Sequence, residues 1–236
     1  MAELYLVRHA QAAFGTDDYD RLTPLGHQQA RWLGQYFAER DLSFDHVLTG
    51  TLRRHRETVA GLIDGGARLA PVLTDAGLDE YDSERLVTAH LAASGGFQTR
   101  SEPPPEVDPG DAAYRKRHFQ LLRNALESWT RGEIDAAAHR PYDSFQQQAY
   151  RAFELAWRAE HSDARRVLIV SSGGPISSIV ARHLQIPPAG FVALNLQLRN
   201  SGFCEIRFGS RSARLISFNC VPHLDTLERR GAITFA

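Results

Sequence analysis

Residues 4–11 read Leu-Tyr-Leu-Val-Arg-His-Ala-Gln, four apolar positions running into a cation and an imidazole. A short apolar run bounded by polar residues predicts a buried strand. The pattern recurs twice. Phe44–Thr49 runs into Gly50-Thr51-Leu52-Arg53-Arg54, and Val167–Val170 into Ser171-Ser172-Gly173-Gly174-Pro175. Helical patterns lie between and after these runs. Thr23-Pro24 supplies an N-cap and a first-turn proline ahead of a face of Leu25, Trp32, Leu33, Tyr36 and Phe37. A second stripe carries Leu52, Val59, Leu62 and Ile63, and a third Ile176, Ile179, Val180 and Leu184. Val72-Leu73 is a further short extended piece, leading into Gly77-Leu78-Asp79-Glu80. Strands alternating with helices predict an α/β fold with a mostly parallel sheet. Phe203–Phe208 and Ala213–Phe218, on either side of Gly209–Ser212, predict a closing hairpin.

The middle of the chain breaks this alternation. Gly95-Gly96, Pro103–Pro105 and Pro109-Gly110 cannot continue a helix. Two helices are expected after them, near 111–131 and 144–161. The second is read as starting at Ser144, with Gln147 at capping-box spacing and Phe145, Ala149, Phe153, Ala156 and Trp157 as its buried face. Strand patterns occur on both sides, so about 86–165 reads as a helical insertion in one domain spanning 1–236.

Composition narrows the classes. With 236 residues and 43% hydrophobic content, the chain can bury a full core without staples. Twenty-seven basic residues against 28 acidic ones give a net charge of −1, which argues against a nucleic-acid or polybasic membrane surface. No apolar run reaches the roughly 18 residues of a membrane span, and the acidic, short N-terminal run is unlike a signal peptide. Cys204 and Cys220 are too few for a disulfide scaffold or a four-thiolate zinc site. A cytoplasmic protein with reduced thiols is expected. His27, His46, His90, His118, His139, His161, His183 and His223 show no i, i+4 metal spacing, and most of them read as surface or capping residues.

Ligands of open α/β sheets sit beyond the carboxyl ends of strands. If the three polar-ended strands are parallel neighbours, His9, Arg8, Arg54 and the glycine-rich Ser172-Gly173 segment meet there. Arginine offers a planar fork for two oxygens, and a helix opening at Pro175 offers free N–H groups. That set suits an anion of phosphate type. A neutral His9 can attack phosphorus. A carboxyl must then protonate the leaving oxygen. Glu80 is the candidate, with Asp79, Asp82 and Glu84 competing on composition. Arg115, Lys116, Arg117 and Arg123 read either as a second anion site or as a solvated helix face.

These motifs in their order resemble the histidine phosphatase superfamily, the phosphoglycerate mutase-like proteins. Leu4–Gln11 is similar to that family's strand followed by Arg-His-Gly. Asp20–Ala30 resembles its Leu-Thr-x-x-Gly-x-x-Gln-Ala segment, and Gly50–Thr58 its Ser-x-Leu-x-Arg-Ala-x-x-Thr segment. Leu78-Asp79-Glu80 resembles the acid-bearing segment, and Val167–Ile176 the late Val-x-Val-Ser-His-Gly-Gly segment. The resemblance implies a three-layer α/β/α sandwich and a phosphomonoester phosphatase acting on a phosphorylated small molecule, with no metal or organic cofactor. His9 would carry the phosphoryl group, Arg8 and Arg54 would bind it, and Glu80 would serve as general acid and then base. Ser172 and Gly173 would add phosphate contacts.

The chain departs from that family pattern most at one position. Ser172 stands where the family has a second catalytic histidine, and a hydroxyl brings a donor without charge. Losing one transition-state donor costs roughly 100- to 1000-fold in rate. His55, beside Arg54, is a candidate substitute for that histidine. Ala10 replaces a glycine, a mild change, and the Trp-Asn signature of the glycolytic mutases is absent. The alternative reading is a catalytically impaired phosphate-ester binding or regulatory protein. A homodimer through the hairpin edge is a further option.

Overall fold

Strand β1 (Ala2–Arg8) alternates its side chains between two apolar surfaces, and that period of two organises the whole fold. Leu4 and Leu6 point into one core cluster, Tyr5 and Val7 into another. The structure, a computed structural model, describes residues 2–16, 18–95, 112–157, 166–208 and 213–235. After β1 come α1 (Pro24–Glu39), β2 (Ser43–Phe44), β3 (His46–Thr49), α2 (Arg53–Asp64), β4 (Arg68–Leu69) and β5 (Val72–Thr74). Helices α3 (Ser83–Ala93), α4 (Ala112–Thr130) and α5 (Tyr142–Trp157) precede β6 (Arg166–Ser171). Then follow α6 (Gly173–His183), α7 (Pro188–Gln197), β7 (Phe203–Phe208) and β8 (Ala213–Cys220).

Among the described residues, six strands form one sheet in the order β5-β3-β6-β1-β7-β8. The first four are parallel, and the closing β7–β8 hairpin is antiparallel. One face packs on α1 and α2 through Leu33, Phe37, Val59 and Leu62. The other packs on α5 and α6 through Ala152, Phe153, Ile176, Ile179 and Val180. This is the expected α/β fold, a mixed central sheet with helices on both faces. A third apolar cluster joins α3, α4, α5 and α7 around Trp129, whose ring lies 5.4 Å from Tyr81 and 5.3 Å from Phe145. Truncating a buried Leu such as Leu6 or Leu33 in such cores typically costs about 2–5 kcal/mol.

Several local expectations need correction. The second strand is two pieces, because Asp45 breaks it: its N–H donates to Arg166 O and its carboxylate accepts from Arg166 N–H, both at 2.9 Å. β2 therefore pairs with β4, apart from the main sheet. Helix α5 starts at Tyr142, two residues before Ser144, with Phe145 N–H donating to Pro141 O at 3.1 Å. Burial of Tyr142 against Phe191, 4.9 Å between ring centroids, favours the earlier start. Ala156, Trp157 and most of the 93–113 loop lie outside the described residues or side chains, as does the Gly209–Ser212 turn. The apolar face of α1 divides: Leu33 and Phe37 enter the sheet core, whereas Leu25 and Trp32 pack on Val221, Leu224 and Ala232. Helix α7, unread in the sequence, starts with Pro188 in its first turn.

Two of the scattered histidines are buried. His139 stacks edge-on to Trp129 at 5.1 Å, and His223 Nε2 is hydrogen-bonded to Ser201 Oγ at 2.8 Å. Burial, with a smaller contribution from Arg229, pushes the His223 pKa down to about 3 from its ordinary 6.5. Between those values the unfolded imidazole holds a proton and the folded one does not. Stability is therefore lost as pH falls through that window, by up to about 1.4 kcal/mol per pH unit. Urea unfolding from pH 7 to pH 5 should show this loss, and His223→Gln should flatten the dependence. An unchanged pH slope in that variant would contradict the assignment.

Candidate active site

The carboxyl ends of β1, β6 and β3 lie side by side, with Arg8 opposite Ser171 and Thr49 opposite Val170. That juxtaposition brings His9, Arg8, Arg54 and the Ser172-Gly173 segment together, as the strand pattern predicts. His9 follows β1 and is 3% exposed. Its N–H donates to Ser171 O at 2.8 Å, and its carbonyl accepts from Ser201 N–H at 3.2 Å. The backbone is thus clamped from two sides. Its ring Nδ1 lies 2.7 Å from Ala10 O, so the proton of a neutral ring belongs on Nδ1 and the lone pair on Nε2. Burial, then Arg54, Arg8 and His55, hold the His9 pKa well below that of an ordinary imidazole.

The flanking motifs serve as braces. Thr58, four residues past Arg54, accepts from Ala10 N–H at 3.1 Å and donates to Arg54 O at 2.7 Å. Gln29 accepts from Gln11 N–H at 2.8 Å and donates to Ala232 O at 2.7 Å. Gly26 leaves room for Gln11 O, which a Cβ would overlap. Thr23 caps α1, its hydroxyl accepting from Gly26 N–H at 2.9 Å. The Leu-Thr-x-x-Gly-x-x-Gln and Arg-x-x-x-Thr spacings therefore hold the loop after His9 on two helices.

Both arginines are buried, at 7% and 6% exposure. Arg8 donates from Nη1 to Leu198 O at 2.5 Å, and Arg54 from Nη1 to Asp20 Oδ1 at 2.8 Å. Their Nε atoms are buried with no hydrogen-bond partner in the described protein. A buried donor left unmet costs about 1–3 kcal/mol, more when charged. Burial pulls the Arg8 pKa down from its ordinary value, although a guanidinium keeps its charge.

Glu80 is the carboxyl that meets the cluster. Gly174 N–H donates to its Oε1 and Oε2 at 3.0 and 3.3 Å. Surrounding protein raises its pKa above the ordinary 4.5, outweighing Arg54 and Arg8, which lower it. Its rivals are engaged elsewhere. Asp79 accepts from Thr51 N–H and its hydroxyl at 2.6 and 2.5 Å, and Asp82 caps α3. Glu84 is on the first turn of α3. Helix α6 opens at Gly173, not Pro175, and its Gly174 N–H serves Glu80. One N–H of the expected free helix start is therefore taken up by the carboxyl. Ser172 Oγ pairs with His55 Nε2 at 2.7 Å, and Gly173 lies against Asn195.

A cavity of about 530 Å³ opens on Arg8 and His9, walled by Phe14, Tyr19, Arg21 and Phe235. A smaller one of about 120 Å³ continues past Glu80 to His118, Phe119 and Leu122 of α4. Lys116 and Arg123 line neither cavity, and Arg115 has no described side chain. Among the described residues no three metal-ligating side chains cluster. No helix there is long and apolar enough to cross a membrane.

Sequence reasoning missed Asp20, which fixes Arg54 and also accepts from Arg53 N–H at 2.7 Å. It also missed Asn195, which donates to the Tyr81 hydroxyl at 2.8 Å from the unread α7. No spacing signal marks either residue. Thr58 had one, its i+4 position from Arg54. Thr58→Val should strand the Ala10 N–H and cost about 1–3 kcal/mol in urea unfolding. No loss of stability would contradict the bracing role.

A family model described as the histidine phosphatase superfamily (branch 1) matches residues 4–96 and 105–221. The mitochondrial serine/threonine-protein phosphatase Pgam5 of Drosophila ananassae is 26% identical over 199 residues, 82% of this chain and 54% of that protein. The chain thus spans about half the length of the curated relatives it matches. Phosphoserine phosphatase of Entamoeba histolytica, solved with 3-phosphoglyceric acid, superposes with a TM-score of 0.61 at 23% identity, covering 95% of this chain and 100% of that one. The mycobacterial glucosyl-3-phosphoglycerate phosphatase gives 0.62 at 18% identity, over 93% and 99%. The family match spans most of the chain and takes in His9, both arginines, Glu80 and the Ser172 segment: this protein belongs to the histidine phosphatase superfamily.

Proposed function

We propose that the protein is a phosphomonoester phosphatase working through a phosphohistidine at His9. The observation that carries this reading is the pair of unmet Nε donors on buried Arg8 and Arg54, beside a neutral imidazole whose Nε2 lone pair is free. The two guanidinium groups bind the phosphoryl oxygens. His9 Nε2 attacks phosphorus, the ester P–O bond breaks, and the leaving oxygen takes the proton of Glu80. Glu80, now a carboxylate, accepts a proton from water as that water attacks phosphorus. The P–N bond breaks, giving orthophosphate and free His9. No step calls for a metal.

Substrate choice lies in the cavity walls. Phe14, Tyr19, Phe119 and Phe235 are 45%, 38%, 43% and 51% exposed around the site. Exposed rings favour an ester whose alcohol part is apolar or aromatic over a compact charged one. A phosphorylated small molecule of that kind fits. A second reading, phosphate-ester binding without turnover, follows from Ser172, whose hydroxyl brings no charge where the family has a histidine.

Hydrolysis of an aryl phosphate in EDTA separates the two. Turnover should be abolished in His9→Ala and exceed that with phosphoserine in kcat/KM. His9 must be neutral, so the acid limb should lie well below pH 6.5, and Glu80 must hold its proton, so the rate should fall as pH rises through its raised pKa. Glu80→Gln should lose about 100- to 10,000-fold and the alkaline limb with it. Anion binding with no turnover in the wild type would establish the second reading instead.

A further inference from the structure

Ser172 stands at the N-cap of α6, where a serine hydroxyl ordinarily accepts from a first-turn N–H. It makes no such bond. Its Oγ lies 2.7 Å from His55 Nε2, and both residues are fully buried. The His55 and His9 ring centroids are 5.7 Å apart. Ser172 also directly follows Ser171, whose carbonyl holds the His9 N–H. The pair therefore borders the nucleophile from the side opposite its backbone clamp at Ser201.

Packing alone does not account for His55. Its Nδ1 is buried with no hydrogen-bond partner in the described protein. The nearest carboxylate oxygen, Asp79 Oδ1, is 3.8 Å away and already accepts from Thr51 N–H. The ring fills the space above Gly50, where a Cβ would overlap it. An apolar side chain would fill that space without an unmet polar atom.

We propose that His55 and Ser172 act as one hydrogen-bond donor to the phosphoryl group in transfer: His55 Nε2–H donates to Ser172 Oγ, freeing the hydroxyl proton for a phosphoryl oxygen. This rests on the phosphoryl-transfer reading above. A neutral imidazole has one N–H, and the alternative tautomer would consume the serine proton. A phosphoryl group at His9 favours the first tautomer, because only that one turns a proton toward the negative charge. Ser172 touches the substrate, and His55 is a positioning residue that acts through it. The two side chains then supply together what the resembling family draws from one histidine.

The test compares wild type with Ser172→Ala, His55→Ala, the double variant, His55→Gln and His9→Ala. Aryl phosphate turnover is measured beside calorimetric binding of vanadate and inorganic phosphate. Vanadate takes up the five-coordinate geometry of the transfer, so it reports contacts made in the transition state. Each single variant should lose about 100- to 1000-fold in kcat with KM little changed. Each should also lose vanadate preference over phosphate. The double variant should be no worse than either single one, because the two residues act as a unit. His55→Gln, whose amide N–H can reach Oγ, should recover part of the loss.

Wild-type kcat and vanadate preference in His55→Ala would overturn the proposal. So would equal weakening of both anions, the mark of a merely structural role. If His55→Ala fails to fold, Ser172→Ala and His55→Gln carry the same comparison. Should the wild type not turn over, the vanadate-to-phosphate ratio decides alone. Failure of the wider reading looks different: neither anion binds, or His9→Ala retains turnover.

Discussion

Two guanidinium groups and a neutral imidazole are buried together beyond the carboxyl ends of β1 and β3, and the rest of the structure is arranged to tolerate this. Burial, and then repulsion from Arg54 and Arg8, keep the His9 ring unprotonated. Arg54 is steadied by Asp20, and Arg8 by a backbone carbonyl, Leu198 O. Glu80 adds a second carboxyl beside Asp20, and its Coulomb pull on Arg8 is reciprocal. The arrangement is costly without an anion, and in the proposed reaction a phosphoryl group offsets that cost.

Rigidity of the surroundings makes that arrangement possible. Each strand end is pinned from a neighbouring element: β1 by Ser171 and Gly202, the following loop by Thr58 and Gln29, the acid-bearing turn by Ser171 Oγ on Leu78 O at 2.6 Å. Tyr81, next to Glu80, is locked in the aromatic cluster around Trp129 and held by Asn195. The helices of the chain's middle thus brace the carboxyl as well as walling the cavity. Preorganisation of this kind lets electrostatic stabilisation act without reorganisation during the reaction.

Much of this was legible in the sequence, for identifiable reasons. Apolar runs ending in Arg8-His9, Arg54 and Ser172 place their strand ends because strand length and burial are local properties. Glu80 could not be separated from Asp79, Asp82 and Glu84 by composition; helix capping and the Thr51 contact separate them in three dimensions. The start of α5 was set by burial of Tyr142 rather than by the Ser144 capping pattern, a tertiary override of a local signal. Isolated histidines carry no periodicity, so nothing in the sequence marks His223 and His139 as the buried ones. The partnership of His55 with Ser172 joins residues 117 positions apart, and only the folded chain shows its 2.7 Å contact.

A phosphohistidine route requires transfer of phosphorus to nitrogen on His9. Rapid base quench of the enzyme during aryl phosphate turnover, followed by peptide mass spectrometry, reads this step. A phosphoryl adduct on the peptide bearing His9, stable in base and lost in acid, is the expected result. Turnover with no adduct, or with the adduct on another residue, would rule the route out.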